Sequence, residues 1–76
     1  MKTFRLSYQQ YAQALANYAY LENISPVHME ADHRCEAVAE YLFDEGKIEQ
    51  TGLIHIVPVR GQQKVEIYVY ENEKVN

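Results

Sequence analysis

An α+β domain of order β-α-α-β-β, with two helices packed on one face of a small antiparallel sheet that ends in a C-terminal β-hairpin, is the fold this sequence predicts. Three observations carry that expectation. Two stretches of helical apolar period each follow a capping signal, Ser7 and Ser25-Pro26. Two alternating, β-branched stretches flank Arg60-Gly61-Gln62-Gln63. A shorter alternating stretch opens the chain.

Residues 2–6 alternate polar and apolar, which predicts a short strand. Ser7 is then a helix N-cap, Gln10 completes a capping box, and Leu6 with Tyr11 fits a hydrophobic staple. The first helix is expected over 8–22. Tyr8, Tyr11, Ala12, Leu15, Tyr18 and Ala19 share its apolar face, opposite Gln9, Gln10, Gln13 and Asn17. Between Tyr8 and Leu21 this helix has no charge. Ser25-Pro26 starts the second helix with proline at its first position. That helix is expected to run to residue 45 and stop at Gly46 in the left-handed region. Its core stripe is Ala31, Cys35, Val38 and Leu42.

The hairpin joins strands at 53–59 and 64–70 through a tight Gly61-Gln62 turn. The expected register sets Val59 against Lys64, Val57 against Glu66, His55 against Tyr68 and Leu53 against Tyr70. Ile54, Ile56, Pro58, Val65, Ile67 and Val69 then share one apolar face, which packs on the helices. Pro58 lacks a donor, so its N side should point to a sheet edge. Residues 71–76 read as a frayed tail.

Composition narrows the function. Seventy-six residues suffice for one domain, 1–76, with a small core. Seven Lys and Arg against eleven Asp and Glu leave a net charge of −4, which disfavours a sequence-independent grip on phosphates. A single cysteine, Cys35, forms no intramolecular disulfide and suits a reducing, cytoplasmic setting. The charged opening is not followed by the apolar run of a signal peptide, and no segment approaches a membrane span. No membrane partner, cofactor or metal is expected.

Two surfaces stand out. Asp32, Glu36, Glu40 and Asp44 recur every four residues along the second helix, about 6 Å per step. They are either a solvated face or a docking surface for Lys and Arg of a protein partner. Phe43 and Met29 fall near this face as candidate apolar anchors. The second surface is the outer side of the hairpin, where Leu53, His55, Val57, Val59, Tyr68 and Tyr70 are diluted only by Lys64 and Glu66. An exposed sheet face is ordinarily polar. Either the N-terminal strand or tail covers this one, or it forms a homodimer or partner interface. Tyrosines suit an interface, having apolar area and a hydrogen-bonding tip.

Catalytic chemistry has little support. His28, Asp32, His33, Cys35 and Glu36 lie close in sequence but lack zinc-site spacing. Cys35 would need a base and an exposed, activating setting, and its place on the core stripe predicts a buried thiol instead. His55 opposite Tyr68 could form one hydrogen-bonded pair, which is no active site. The expected class is therefore a non-enzymatic, protein-binding modulator with a basic partner. Two helices followed by a hairpin resemble the topology of winged-helix DNA-binding domains. The would-be recognition helix, however, holds Glu30, Asp32, Glu36, Glu40, Asp44 and Glu45 against Arg34, so direct nucleic-acid contact is not expected. In size and acidity the chain is similar in type to phage and mobile-element inhibitors of host nucleic-acid-handling machinery, the anti-CRISPR and anti-restriction proteins. A homodimeric accessory protein using the outer sheet face is the alternative.

Overall fold

A computed structural model describes residues 1–49 and 53–70. Its elements are β1 (Lys2–Ser7), α1 (Tyr8–Glu22), a short 3₁₀ turn (Pro26–His28), α2 (Ala31–Asp44), β2 (Leu53–Pro58) and β3 (Lys64–Tyr70). The three strands form one antiparallel sheet in the order β1-β3-β2. The class is α+β, with both helices on one side of the sheet. The expected tail at 71–76 lies outside the described residues.

Strand and helix meet at Ser7 without a loop. Ser7 is both the last residue of β1 and the N-cap of α1: its Oγ accepts from Gln10 N–H at 3.1 Å, and its own N–H donates to Gln10 Oε1 at 3.0 Å. Leu6 is buried and Tyr11 packs half-buried against the same cluster, so the staple closes the junction. Tyr8 N–H donates to Gln63 O at 3.1 Å and ties the helix start to the hairpin. At the other end Asn23 adopts the left-handed conformation (φ 55°, ψ 46°). Asn23 N–H donates to Tyr20 O and Ile24 N–H to Ala19 O, which satisfies the last carbonyls.

The second helix begins later than the sequence suggests. Pro26 starts only the 3₁₀ turn; Met29 (φ −72°, ψ 123°) and Glu30 (φ −86°, ψ 174°) are extended, and α2 starts at Ala31. The break lets Met29 drop its side chain into a cluster with Tyr18, Ala19 and Ala37. Met29 is therefore core, not a surface anchor. The buried stripe of α2 is Ala37, Val38, Ala39 and Leu42; Cys35 is half-buried at its margin and Ala31 is exposed. On α1 the buried face is Ala14, Tyr18 and Ala19 with Tyr11 and Leu15 beside it, while Tyr8 and Ala12 are exposed. Tyr11, Leu15, Tyr18 and Ala19 thus lie on the expected face, with Ala14 in place of Tyr8 and Ala12.

The hairpin register is the expected one, from Leu53 opposite Tyr70 to Pro58 opposite Val65. Val59 N–H donates to Lys64 O at 3.1 Å. The turn is centred one residue earlier than expected: Gln62 N–H donates to Val59 O, so Arg60 and Gly61 are the central pair. Gly61 takes φ 78° as the second of them. β1 joins the sheet edge beside β3, which makes β3 the central strand and rules out the N-terminal strand as a cover for the outer face. Ile54, Val65, Ile67 and Val69 are buried under α2 with Leu6, Val38, Leu42 and Ile48; Pro58 is exposed at the edge. The hairpin is thus the floor of the core and does not project as a wing. No helix among the described residues is long and apolar enough to cross a membrane.

Candidate functional site

The acidic positions of α2 do not share one face. Each i, i+4 step overshoots a full turn by about 40°. Three steps therefore swing the row by about a third of a circle. Asp32 lies near Cys35 and helps push that thiol's pKa up. Glu36, Glu40 and Asp44 come round towards α1, where Glu22 from the end of that helix joins them. The structure thus sets Asp32 apart and brings Glu36, Glu40 and Asp44 together with Glu22.

Of these carboxylates, Glu40 and Asp44 line an open groove of about 300 Å³ between the helices, joined by Glu45 at the end of α2. Gln13, Asn17 and Leu21 line it from α1, Glu40, Tyr41 and Asp44 from α2. Gln13 Nε2 donates to Asn17 Oδ1 at 3.0 Å, one turn along the uncharged face. The Tyr18 hydroxyl donates to Glu36 Oε2 at 2.8 Å. That bond, then burial and the neighbouring carboxylates, push the Tyr18 phenol up to about 12. Glu40 is half-buried, and desolvation with the Glu36, Glu22 and Asp44 charges raises its pKa. Among the described residues, no Lys or Arg lies within salt-bridge distance of these four carboxylates.

Phe43 is half-exposed on α2 but does not line the groove. The apolar anchor at its rim is Leu21, 72% exposed. Tyr18, Leu21 and Glu22 were not legible as site residues, because the facing of two helices is set by tertiary packing. The available signal was an uncharged helix in a chain whose other helix is strongly acidic.

The outer sheet face is open over the described residues. Leu53 is 68% exposed, and Val57 and Tyr70 are also exposed. Its polar centre is Glu66, which takes the Tyr68 hydroxyl as donor and lies 3.6 Å from Arg5 Nε across the strand pair. The bond to Glu66 raises the Tyr68 pKa. His55 pairs with Tyr68 in register, yet its ring packs edge-on against Tyr70 at 6.2 Å. The hydrogen bond open to His55 and Tyr68 is not formed; Tyr68 bonds Glu66 and His55 packs on Tyr70.

Among the described residues no group of three or more His, Cys, Asp and Glu is placed to hold a metal ion. His33 Nδ1 accepts instead from Glu30 N–H at 3.2 Å. The Cys35 thiol donates to Ile54 O at 3.4 Å, and burial pushes its pKa up, the setting of an unreactive thiol. No protein-family model matches the chain, and no curated protein or solved structure matches it.

Proposed function

We propose that the chain is a protein-binding module that takes a cationic segment of a partner along the groove between α1 and α2. The observation that carries this reading is the convergence of Glu22, Glu36, Glu40 and Asp44 with no cation in reach among the described residues. Like charges one helical turn apart are unfavourable. Lys or Arg side chains from a partner would relieve that repulsion, and Leu21 would supply the apolar contact that such interfaces need. A row of carboxylates presents charge much as a row of phosphates does. A protein that handles nucleic acid is therefore the partner class of choice, with this chain acting as its inhibitor. The comparison with anti-CRISPR and anti-restriction proteins rests on size and charge alone. No catalytic step belongs to this reading.

Capture from the native host cell, with wild type beside a Glu36→Lys/Glu40→Lys variant, tests it. The partner should be retained by wild type, lost with the variant and released as salt rises. Equal retention of the same proteins by both would contradict it.

The exposed row Leu53, Val57 and Tyr70 favours a second reading, homodimerisation through the outer sheet face. It requires a dimer in sedimentation at high micromolar concentration that Val57→Asp or Tyr68→Asp converts to monomer. A monomer at that concentration removes it. The two readings are compatible, since a dimer through the sheet leaves both grooves open.

A further inference from the structure

A second cavity, of about 330 Å³, lies where the free edge of β2 meets the first turns of α1 and α2. It shares no lining residue with the acidic groove. Ile54, Ile56, Pro58 and Val65 make its apolar wall, and Tyr11 and Arg34 bring polar groups to it. Arg34 is the one Lys or Arg of α2. It is half-buried, and one guanidinium nitrogen, Nη1, donates to Met29 O at 3.0 Å. No carboxylate among the described residues is within salt-bridge distance of it. A guanidinium has five N–H donors, and among the described residues one hydrogen bond is made by this one. The half-buried Tyr11 hydroxyl likewise has no hydrogen-bond partner among the described residues. Tyr11 and Arg34 both line the cavity, and the Arg34 charge acts on the Tyr11 phenol.

A guanidinium and a phenol without such partners among the described residues, set beside an apolar wall, are complementary to an amphipathic anion. The volume is at the low end of ligand pockets, about 300–1,000 Å³, which suits a small molecule. A peptide strand is disfavoured by the edge itself. The Val59–Lys64 hydrogen bond fixes the alternation, so Ile54, Ile56 and Pro58 turn their backbone groups outward. Pro58 has no N–H to offer, and the Ile54 carbonyl is taken by the Cys35 thiol.

We propose that this cavity binds a small carboxylate with an apolar tail: the Arg34 guanidinium and Tyr11 hydroxyl hold the carboxylate, and Ile54, Ile56, Pro58 and Val65 hold the tail. The fork of Arg34 matches a carboxylate's two oxygens. This goes beyond the partner-binding groove and does not depend on it.

Octanoate is the probe, and 1-octanol, with the same tail and no charge, the control. Titration of isotope-labelled protein should give saturable shifts of the Ile54 and Ile56 methyls with octanoate, and weaker ones with 1-octanol. Arg34→Gln should weaken octanoate binding about tenfold or more, and Tyr11→Phe about fivefold, the loss expected for one charged and one ordinary hydrogen bond. Tyr11→Phe removes no buried volume, so it keeps the test valid if Arg34→Gln fails to fold. Glu36→Lys/Glu40→Lys should bind octanoate as wild type does, which separates the two sites. The proposal is overturned by absence of saturable shifts, by equal binding of octanoate and 1-octanol, or by Tyr11→Phe and folded Arg34→Gln binding unchanged. Shifts with an extended peptide but none with octanoate would overturn it in favour of strand addition.

Discussion

Glu40 shows what the groove costs the free chain. Its carboxyl is half-buried and faces Glu36 and Asp44 one turn away on either side. The raised pKa means that the folded state holds this proton more tightly than the unfolded state does. The cost is therefore absent below the ordinary Glu range, grows as pH rises through it, and is complete above the raised folded value. Glu40→Gln should stabilise the protein at neutral pH by about 0.5–1 kcal/mol, the relief of two like-charge pairs at i, i+4. Thermal melts should show a gain of a few degrees at pH 7 that disappears in acid. A loss of stability at pH 7 would mean that Glu40 is neutralised by something else. The residue types of the site were legible in the sequence, since Glu36, Glu40 and Asp44 follow one spacing. Their environment was not: Tyr18 is eighteen residues from Glu36, and only packing brings its hydroxyl there.

At the scale of elements, local chemistry decided most boundaries. α1 spans the expected 8–22 because Ser7 and Gln10 cap its start and Asn23 turns left-handed at its end. α2 stops where Gly46 takes φ 73°, with Gly46 N–H donating to Phe43 O and Lys47 N–H to Leu42 O. A Cβ at Gly46 would meet nothing within 4 Å, so its cost is purely conformational. Gly46→Ala should therefore destabilise by about 1–2 kcal/mol, and Gly46→Asn by less, as read by chemical denaturation. Equal stability of Gly46→Ala and wild type would show that the helix end rearranges freely. α2 starts later than Ser25-Pro26 predicts because tertiary packing overrides a valid local signal. Burial of Met29 against Tyr18 and Ala37 outweighs continuing the helix through residues 29 and 30. The Arg60-Gly61 turn is a similar one-residue error, since Gly61 fits a left-handed position in either arrangement.

Over the whole molecule, the strand pattern specified the sheet's inner face, because a one-residue slip would have turned Val65, Ile67 and Val69 to solvent. The pairing of β1 with β3 is a long-range choice that periodicity alone does not encode. Its consequence is that β1 widens the outer face instead of covering it. The molecule therefore presents an acidic groove between the helices and, on the opposite side of the sheet, a face where Leu53, Val57 and Tyr70 are exposed around the Glu66–Arg5 pair. Titration of labelled protein with a short lysine peptide shows whether the α1–α2 groove takes a cationic segment. The largest backbone shifts should fall at Gln13, Asn17, Leu21, Glu36, Glu40 and Asp44. They should shrink as salt rises to about 0.3 M, where screening acts over less than about 10 Å, and vanish in Glu36→Lys/Glu40→Lys. Shifts spread over Glu30, Asp32 and Glu49 as strongly as over the groove, or unchanged by the double substitution, would contradict binding of a cationic segment in the groove.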